Sequence, residues 1–401
     1  MFNKEIESVV WELTLQCNAN CIHCGSSAGK LRENELTLEE SLNICEQIAE
    51  TGCRYVNLIG GEVFLYPHWK EIIKKFNFLG VRTSVITNAI LLTKENLDFL
   101  KEQNIAALGI SIDGGTPQTH DGIRRVPGLF DKIFKTIKYA GELKLPAVAI
   151  TTLSKKNILE LDILKEKIPA ANFRGWQLQM AVPYGRMAEE IMLDAYEYYI
   201  AGIFAAQTER RKLKENFEVF RMHDFGYYSK LIPSQKSFFA WRGCPAGGKV
   251  LGLRSDGKVT GCLSMYEDKF AQGDLRKEPL SDIINNKNFC AWNHRLKKFK
   301  TLKGFCADCE YGLVCLAGCS NVSHGVTGGT GENPFCYHAI EVQAAKTEPK
   351  NDFEKIFRQI TLGKIGKDGT LFLDNGQPLT AGLIDSLQIE GLRRQLLKLL
   401  L

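Results

Sequence analysis

Residues 9–24 read VVWELTLQCNANCIHC, an apolar run that ends in three cysteines, Cys17, Cys21 and Cys24. The near-continuous apolar character of 9–15 fits a strand buried on both faces. Working outward, the unit recurs, with strands expected at 54–59, 81–87, 106–112, 146–152 and 175–182. Helices fit between them at about 37–51, 68–79, 94–103, 129–143 and 156–167, the first opened by Thr37 with Glu40 as a capping box. Buried strands alternating with helices predict an α/β fold, a partial (β/α)6 TIM-like barrel with a parallel sheet. In such barrels the chemistry sits at the C-terminal strand ends. The polar clusters obey that rule. The three cysteines follow the first strand, Gly60-Gly61-Glu62 the second, Thr87-Asn88 the third, Ser111 and Asp113 the fourth, and Gln179 with the loop to Arg186 the sixth.

The chain has 401 residues, enough for two or three domains. Its 51 basic and 46 acidic residues leave a net charge of +5, too mild to argue for nucleic acid or an anionic membrane. No apolar stretch reaches the roughly 18 residues of a membrane span, and the N-terminus MFNKEIESVV lacks a signal region. A cytoplasmic location follows as the expectation. In a reducing compartment the thirteen cysteines read as metal ligands or catalytic groups, and their odd number argues against a closed disulfide framework.

Cys17, Cys21 and Cys24 form a C-x3-C-x2-C array. Thiolates are the usual ligands of iron–sulfur clusters, whereas a structural zinc site wants four closed ligands. His23 is a conceivable fourth zinc ligand, but its place beside Cys24 points it away. A zinc loop or incidental thiols remain the alternatives at this point. Three thiolates on a four-iron cluster leave one iron open.

The C-x3-C-x2-C array after the first strand, with Gly60-Gly61-Glu62 after the second, resembles the radical S-adenosylmethionine (SAM) superfamily over about residues 9–186. The resemblance implies that the open iron chelates SAM and that one electron cleaves it to methionine and a 5′-deoxyadenosyl radical. It further implies SAM contacts one position at a time. Gly60, Gly61 and Glu62 would hold the methionine amino group, although Val63 stands where proline is usual. His23 would pack near the adenine, Ser111 would lie near the ribose or carboxylate, and Arg124 would pair with the SAM carboxylate. Val182 would offer a backbone contact to the adenine.

A second block runs Cys244, Cys262, Cys306-x2-Cys309-x5-Cys315-x3-Cys319 and Cys336, with a hairpin turn at Ser255-Asp256-Gly257-Lys258. This order resembles the SPASM domain, with a zinc ribbon as the alternative. The resemblance implies two auxiliary [4Fe-4S] clusters, three in all with the SAM-binding one. Cys306, Cys309, Cys315 and Cys336 would hold the outer cluster, and Cys244, Cys262 and Cys319 the inner one. The fourth site of the inner cluster would be open, filled by a non-cysteine group, or filled by substrate, with Cys290 a remote candidate. Cys45, Cys53 and Cys290 read as structural. Leu263 follows Cys262 where a sulfatase-maturing enzyme is expected to carry an acidic base. Tyr184, His223, Asp224 and Tyr266 are the candidate bases.

The domain reading is 1–187 for the radical SAM core, 188–240 for a helical bridge, 241–345 for the SPASM domain and 346–401 for a tail. A leader-gripping domain is expected to be absent. The tail should contain a hairpin at TLFLDNGQPLT and a last helix, which either pack on the core or dock a peptide. The leading expectation is an enzyme that oxidatively modifies, for example cross-links, a ribosomally made peptide, with a flavodoxin or ferredoxin as one-electron reductant. No nucleic acid or membrane partner is expected. The alternatives are a small-molecule dehydrogenase or decarboxylase, and a non-catalytic iron–sulfur electron carrier.

Overall fold

The computed structural model describes residues 6–222, 226–232 and 241–401. Strands β1 (Ser8–Glu12), β2 (Tyr55–Ile59), β3 (Arg82–Thr87), β4 (Ala107–Ser111), β5 (Ala147–Leu153) and β6 (Gly175–Met180) pair in parallel, each with the next. Helices α1 (Leu38–Glu50), α2 (Trp69–Phe78), α3 (Lys94–Glu102), α4 (Pro117–Arg124), α5 (Leu129–Glu142) and α6 (Leu161–Ala170) lie between them. The apolar runs are buried as their composition demands. Val56, Leu58, Val85 and Leu108 carry no exposed surface. The Thr37–Glu40 capping box is present. Helix α4 departs from the sequence reading. Thr116 caps it by accepting from the Thr119 amide, and Pro117 supplies a preset φ at its start.

The expected helical bridge is only partly helical. It contains α7 (Ala195–Arg211) and then β7 (Glu218–Arg221), a seventh parallel strand beside β6. Four residues are too few for a period to register in sequence, and the register with β6 makes the strand. On the other edge, β8 (Val250–Leu253) pairs parallel with β1, and β9 (Lys258–Thr260) and β10 (Ala271–Asp274) add antiparallel strands. One sheet therefore runs β10-β9-β8-β1-β2-β3-β4-β5-β6-β7, and the cysteine-rich region is an extension of the barrel sheet. The turn joining β8 to β9 is the one expected, with Gly257 at φ +84. Buried Glu12 at the end of β1 accepts from Arg32 and from Ser255 Oγ, 3.1 Å away, and ties this turn to the core.

The tail packs on α7. Gln207 Nε2 donates to the carbonyls of Gly369 and Leu400 at 2.8 and 2.9 Å, and Arg211 donates to that of Leu401. This explains why α7 is buried nearly all round. Phe372 bridges Pro378 across the Asn375-Gly376 turn, so the tail hairpin is present. The single last helix is instead two, Ala381–Ser386 and Gly391–Lys398. Among the described residues no helix is long and apolar enough to cross a membrane.

Candidate active site

A cavity of about 370 Å³ opens at the C-terminal strand ends. The sheet order places the loop after β1 at its centre. Cys17, Cys21, His23 and Cys24 line it from that loop, Gly60 and Gly61 from β2, Ser111 from β4 and Val182 from the loop after β6. Arg124 reaches it from the end of α4. Ser264, Tyr266 and Asn321, from the second cysteine block, close the opposite wall.

The glycine pair has a steric purpose. A Cβ on Gly60 would lie 2.6 Å from the Thr14 carbonyl oxygen, and one on Gly61 only 2.3 Å from that of Gln16. The Gly61 and Glu62 amides donate to the Thr14 and Gln16 carbonyls, both at 2.8 Å. The end of β2 is thus stitched to the segment leading into Cys17, and only glycine permits that approach. Glu62 turns away from the cavity. Its buried carboxylate accepts from Thr87 Oγ1 at 2.7 Å, from the Asn88 amide at 2.8 Å and from the Phe64 amide. Burial raises its pKa to about 6 despite these bonds.

Four residues form a buried electrostatic chain. His23 Nε2 is 3.3 Å from Asp113 Oδ2, and Arg124 NH2 is 2.5 Å from the same oxygen. Arg124 NH1 then donates to Cys21 Sγ at 3.7 Å. Burial holds the His23 pKa down at about 4, so the ring is neutral near pH 7. Asp113 is fully buried, which opposes ionisation, yet the Arg124 guanidinium beside it holds its carboxyl ionised below the usual range. The guanidinium expected to face a SAM carboxylate is thus already engaged by Asp113. Two other residues given no role by the sequence reading shape the cysteine loop. Asn88 Nδ2 donates to Cys17 Sγ at 3.8 Å, and Arg186 donates to the carbonyls of Cys21 and Ala28, both at 2.9 Å. Their strand-end positions were the only sequence signal.

The second block separates into two voids. Cys306, Cys309, Cys315 and Cys336 ring one with Tyr228 and Tyr311, and Cys244, Cys262 and Cys319 ring the other. Among the described residues no three His, Cys, Asp or Glu side chains gather as a single metal ion requires. Thiolates in such sets are the usual ligands of iron–sulfur clusters. Lys298 supplies an independent indication. It is 1% exposed, its Nζ donates to Ser320 Oγ at 2.6 Å, and burial lowers its pKa while Cys244, Cys319, Cys315 and Cys306, once ionised, would favour its charged form. A buried ammonium needs an anion, and anionic clusters in these voids would provide it.

Residues 11–166 match the family model described as the Radical SAM superfamily. Residues 244–310 match the SPASM model, an iron–sulfur cluster-binding domain. The protein is a radical SAM enzyme with a SPASM domain. An AdoMet-dependent heme synthase of Methanosarcina barkeri is 29% identical over 341 residues, 82% of this chain and 96% of that one. The subtilosin biosynthesis protein AlbA of Bacillus subtilis is 25% identical, over 69% of this chain and 59% of its own. Streptococcus suis SuiB, solved with its precursor peptide SuiA, shares the fold at a TM-score of 0.68 and 16% identity, covering 83% of this chain and 76% of SuiB.

Of the four candidate bases in this radical SAM enzyme, Tyr184 and Tyr266 line the cavity. His223 and Asp224 lie outside the described residues. Tyr184 Oη is 2.8 Å from His324 Nδ1, and His324 Nε2 is 3.3 Å from Glu267 Oε1. That chain joins the cavity to the half-exposed Glu267, and sequence distance hid it completely. Cys45, Cys53 and Cys290 are buried and line neither the cavity nor either void, and burial raises the Cys45 and Cys53 pKa values.

Proposed function

We propose that this enzyme oxidatively modifies a peptide, for example by a cross-link, after hydrogen abstraction in the cavity. The observation that carries the reading is Asn321, which lines both the SAM cavity and the inner thiol void. Bond cleavage and electron removal can therefore act on one substrate without its leaving. When bound, SAM and the clusters supply the 5′-deoxyadenosyl radical and an acceptor for the second electron. A flavodoxin or ferredoxin serves as the external reductant. Cys17, Cys21 and Cys24 hold the SAM-binding cluster, and Gly60, Gly61, Ser111 and Val182 leave room for the cosubstrate. Asp113 fixes Arg124 and His23 against the cysteine loop. Tyr184 exchanges a proton with the substrate at Oη, which is held 2.8 Å from His324 Nδ1, and His324 in turn faces Glu267.

The polarity of the cavity supports a neutral substrate segment. Among the described lining residues Arg124 and Arg186 are the cations, one neutralised by Asp113 and the other set on the cysteine loop. Gln177, Gln179 and Thr152 offer amide and hydroxyl groups suited to a peptide. A second reading, an iron porphyrin substrate, is favoured by the near full-length match to the heme synthase. It requires cations for the porphyrin carboxylates, and among the described lining residues these are Arg124, already paired with Asp113, and Arg186. The test is anaerobic incubation with SAM, reductant and either a short peptide encoded beside the gene or an iron porphyrin. Loss of about two hydrogens from the peptide, coupled to 5′-deoxyadenosine release, supports the first reading. Porphyrin conversion with no change in any such peptide replaces it with the second.

A further inference from the structure

The inner void has three thiols, and among the described residues no other cysteine lines it. Cys290 packs its sulfur against Gly247 and Gly261 instead, where an added Cβ would meet Sγ at 2.4 and 2.5 Å. Three other side chains on that wall carry a donor atom, Met265, Ser320 and Asn321. The Ser320 hydroxyl is taken, accepting from Lys298 Nζ at 2.6 Å and lying 3.3 Å from Asn293 Oδ1. Asn293 is held in turn, donating to the carbonyls of Cys244 and Ala246 at 2.9 and 2.8 Å. Met265 offers a neutral thioether, a weak acceptor. Asn321 differs from both. Its Oδ1 is buried and has no hydrogen-bond partner. A buried carbonyl oxygen left without a partner is costly, and such an atom calls for an explanation.

Local structure fixes where that oxygen sits. Cys319 is the N-cap of the helix Ser320–Thr327, so Asn321 rides on the first turn after a thiol of the inner set. Its backbone carbonyl accepts from Tyr184 Oη at 3.3 Å, which pins the turn to the barrel loop. The side chain lines the inner void and the SAM cavity together.

We infer that the Asn321 carboxamide oxygen is the fourth, exchangeable ligand of the inner auxiliary cluster. This rests on the reading that Cys244, Cys262 and Cys319 hold such a cluster. Iron accepts oxygen donors, and a neutral amide oxygen binds it less tenaciously than a thiolate. The place of Asn321 on the shared wall lets a donor in the SAM cavity compete for that iron. Asn293, bonded to Ser320, holds the Cys244 and Ala246 carbonyls while the exchange occurs.

The test uses the full chain with Cys17, Cys21 and Cys24 changed to Ala, so that only auxiliary clusters load. About eight irons per chain show both present, and a parent protein that holds fewer refutes the cluster assignment and the proposal together. At full loading, low-temperature EPR of the reduced protein is compared with that of Asn321→Ala and Asn321→Cys, each with and without carbon-13 cyanide. The expected result is a shift of g values in both variants. Carbon-13 coupling should appear at lower cyanide in Asn321→Ala than in the parent, and should be lost in Asn321→Cys, whose new thiolate closes the site. Equal iron, unchanged g values and one cyanide response across all three proteins overturn Asn321 as a ligand.

Discussion

Replacing Gly61 with alanine puts a methyl group where the cysteine segment already lies. The new Cβ would stand 2.3 Å from the Gln16 carbonyl oxygen and 2.5 Å from that of Leu15. Close carbon–oxygen contacts run to about 3.3 Å, so the segment must retreat by about 1 Å. Both oxygens are backbone, so no rotamer relieves the clash. The retreat pulls at the 2.8 Å bond from the Glu62 amide to Gln16 and carries Cys17 with it. Overpacking of this kind costs about 1–3 kcal/mol, which a domain stable by about 5–15 kcal/mol survives. The site does not, because a 1 Å misplacement costs about a hundredfold in rate. Circular dichroism should therefore show a folded protein. Reconstituted iron should fall from about twelve to about eight per chain on the cluster reading, and reductant-driven 5′-deoxyadenosine release should drop by about a hundredfold. Gly29→Ala is the control. Gly29 lies in the same loop and accepts from the Cys17 amide, yet its added Cβ meets nothing within 4 Å. Full iron and normal SAM cleavage in Gly61→Ala would show that the glycine pair does not set the cysteine loop.

Further outcomes follow from the same geometry. Cys21→Ala should abolish SAM cleavage, whereas Cys315→Ala should spare uncoupled cleavage and stop turnover; cleavage retained in the first variant removes the assigned site. Glu62 is protonated more readily in the folded chain, with its pKa raised from 4.5 to about 6. Across this titration the native state binds more protons than the unfolded one, so stability falls as pH rises, by about 2 kcal/mol in all between roughly pH 3 and 7.5. Glu62→Gln lacks this loss, so urea unfolding should show the parent losing about 1.3 kcal/mol relative to the variant from pH 4.5 to 6; a constant difference between the two contradicts it. Lys298→Met removes the buried cation beside both auxiliary thiol sets, and potentiometric titration should find their clusters harder to reduce. Tyr184→Phe breaks the link to His324 and should slow substrate conversion more than uncoupled SAM cleavage, as measured by the ratio of product to 5′-deoxyadenosine.

The barrel was legible because its strands are buried on both faces, and burial writes apolar runs of a length that sequence displays directly. Residues 9–15 and their counterparts marked the strands, and the polar residues at their ends marked the rim. The cysteine spacing carried the family for a related reason. Cys17, Cys21 and Cys24 are close in the chain, so a short loop alone can bring them to one cluster. The structure decided what depends on residues far apart. Strand β7 exists only through its register with β6, and the second cysteine block joins the barrel because β8 pairs with β1. The contact of Arg124 with Asp113, the orphaned oxygen of Asn321 and the line from Tyr184 through His324 to Glu267 leave no local pattern. The sequence determined which side chains could do the chemistry, since periodicity and spacing are local. Only the tertiary structure determined which of them are already engaged by a neighbour and which remain available, because pairing and desolvation are set by what packs against each group.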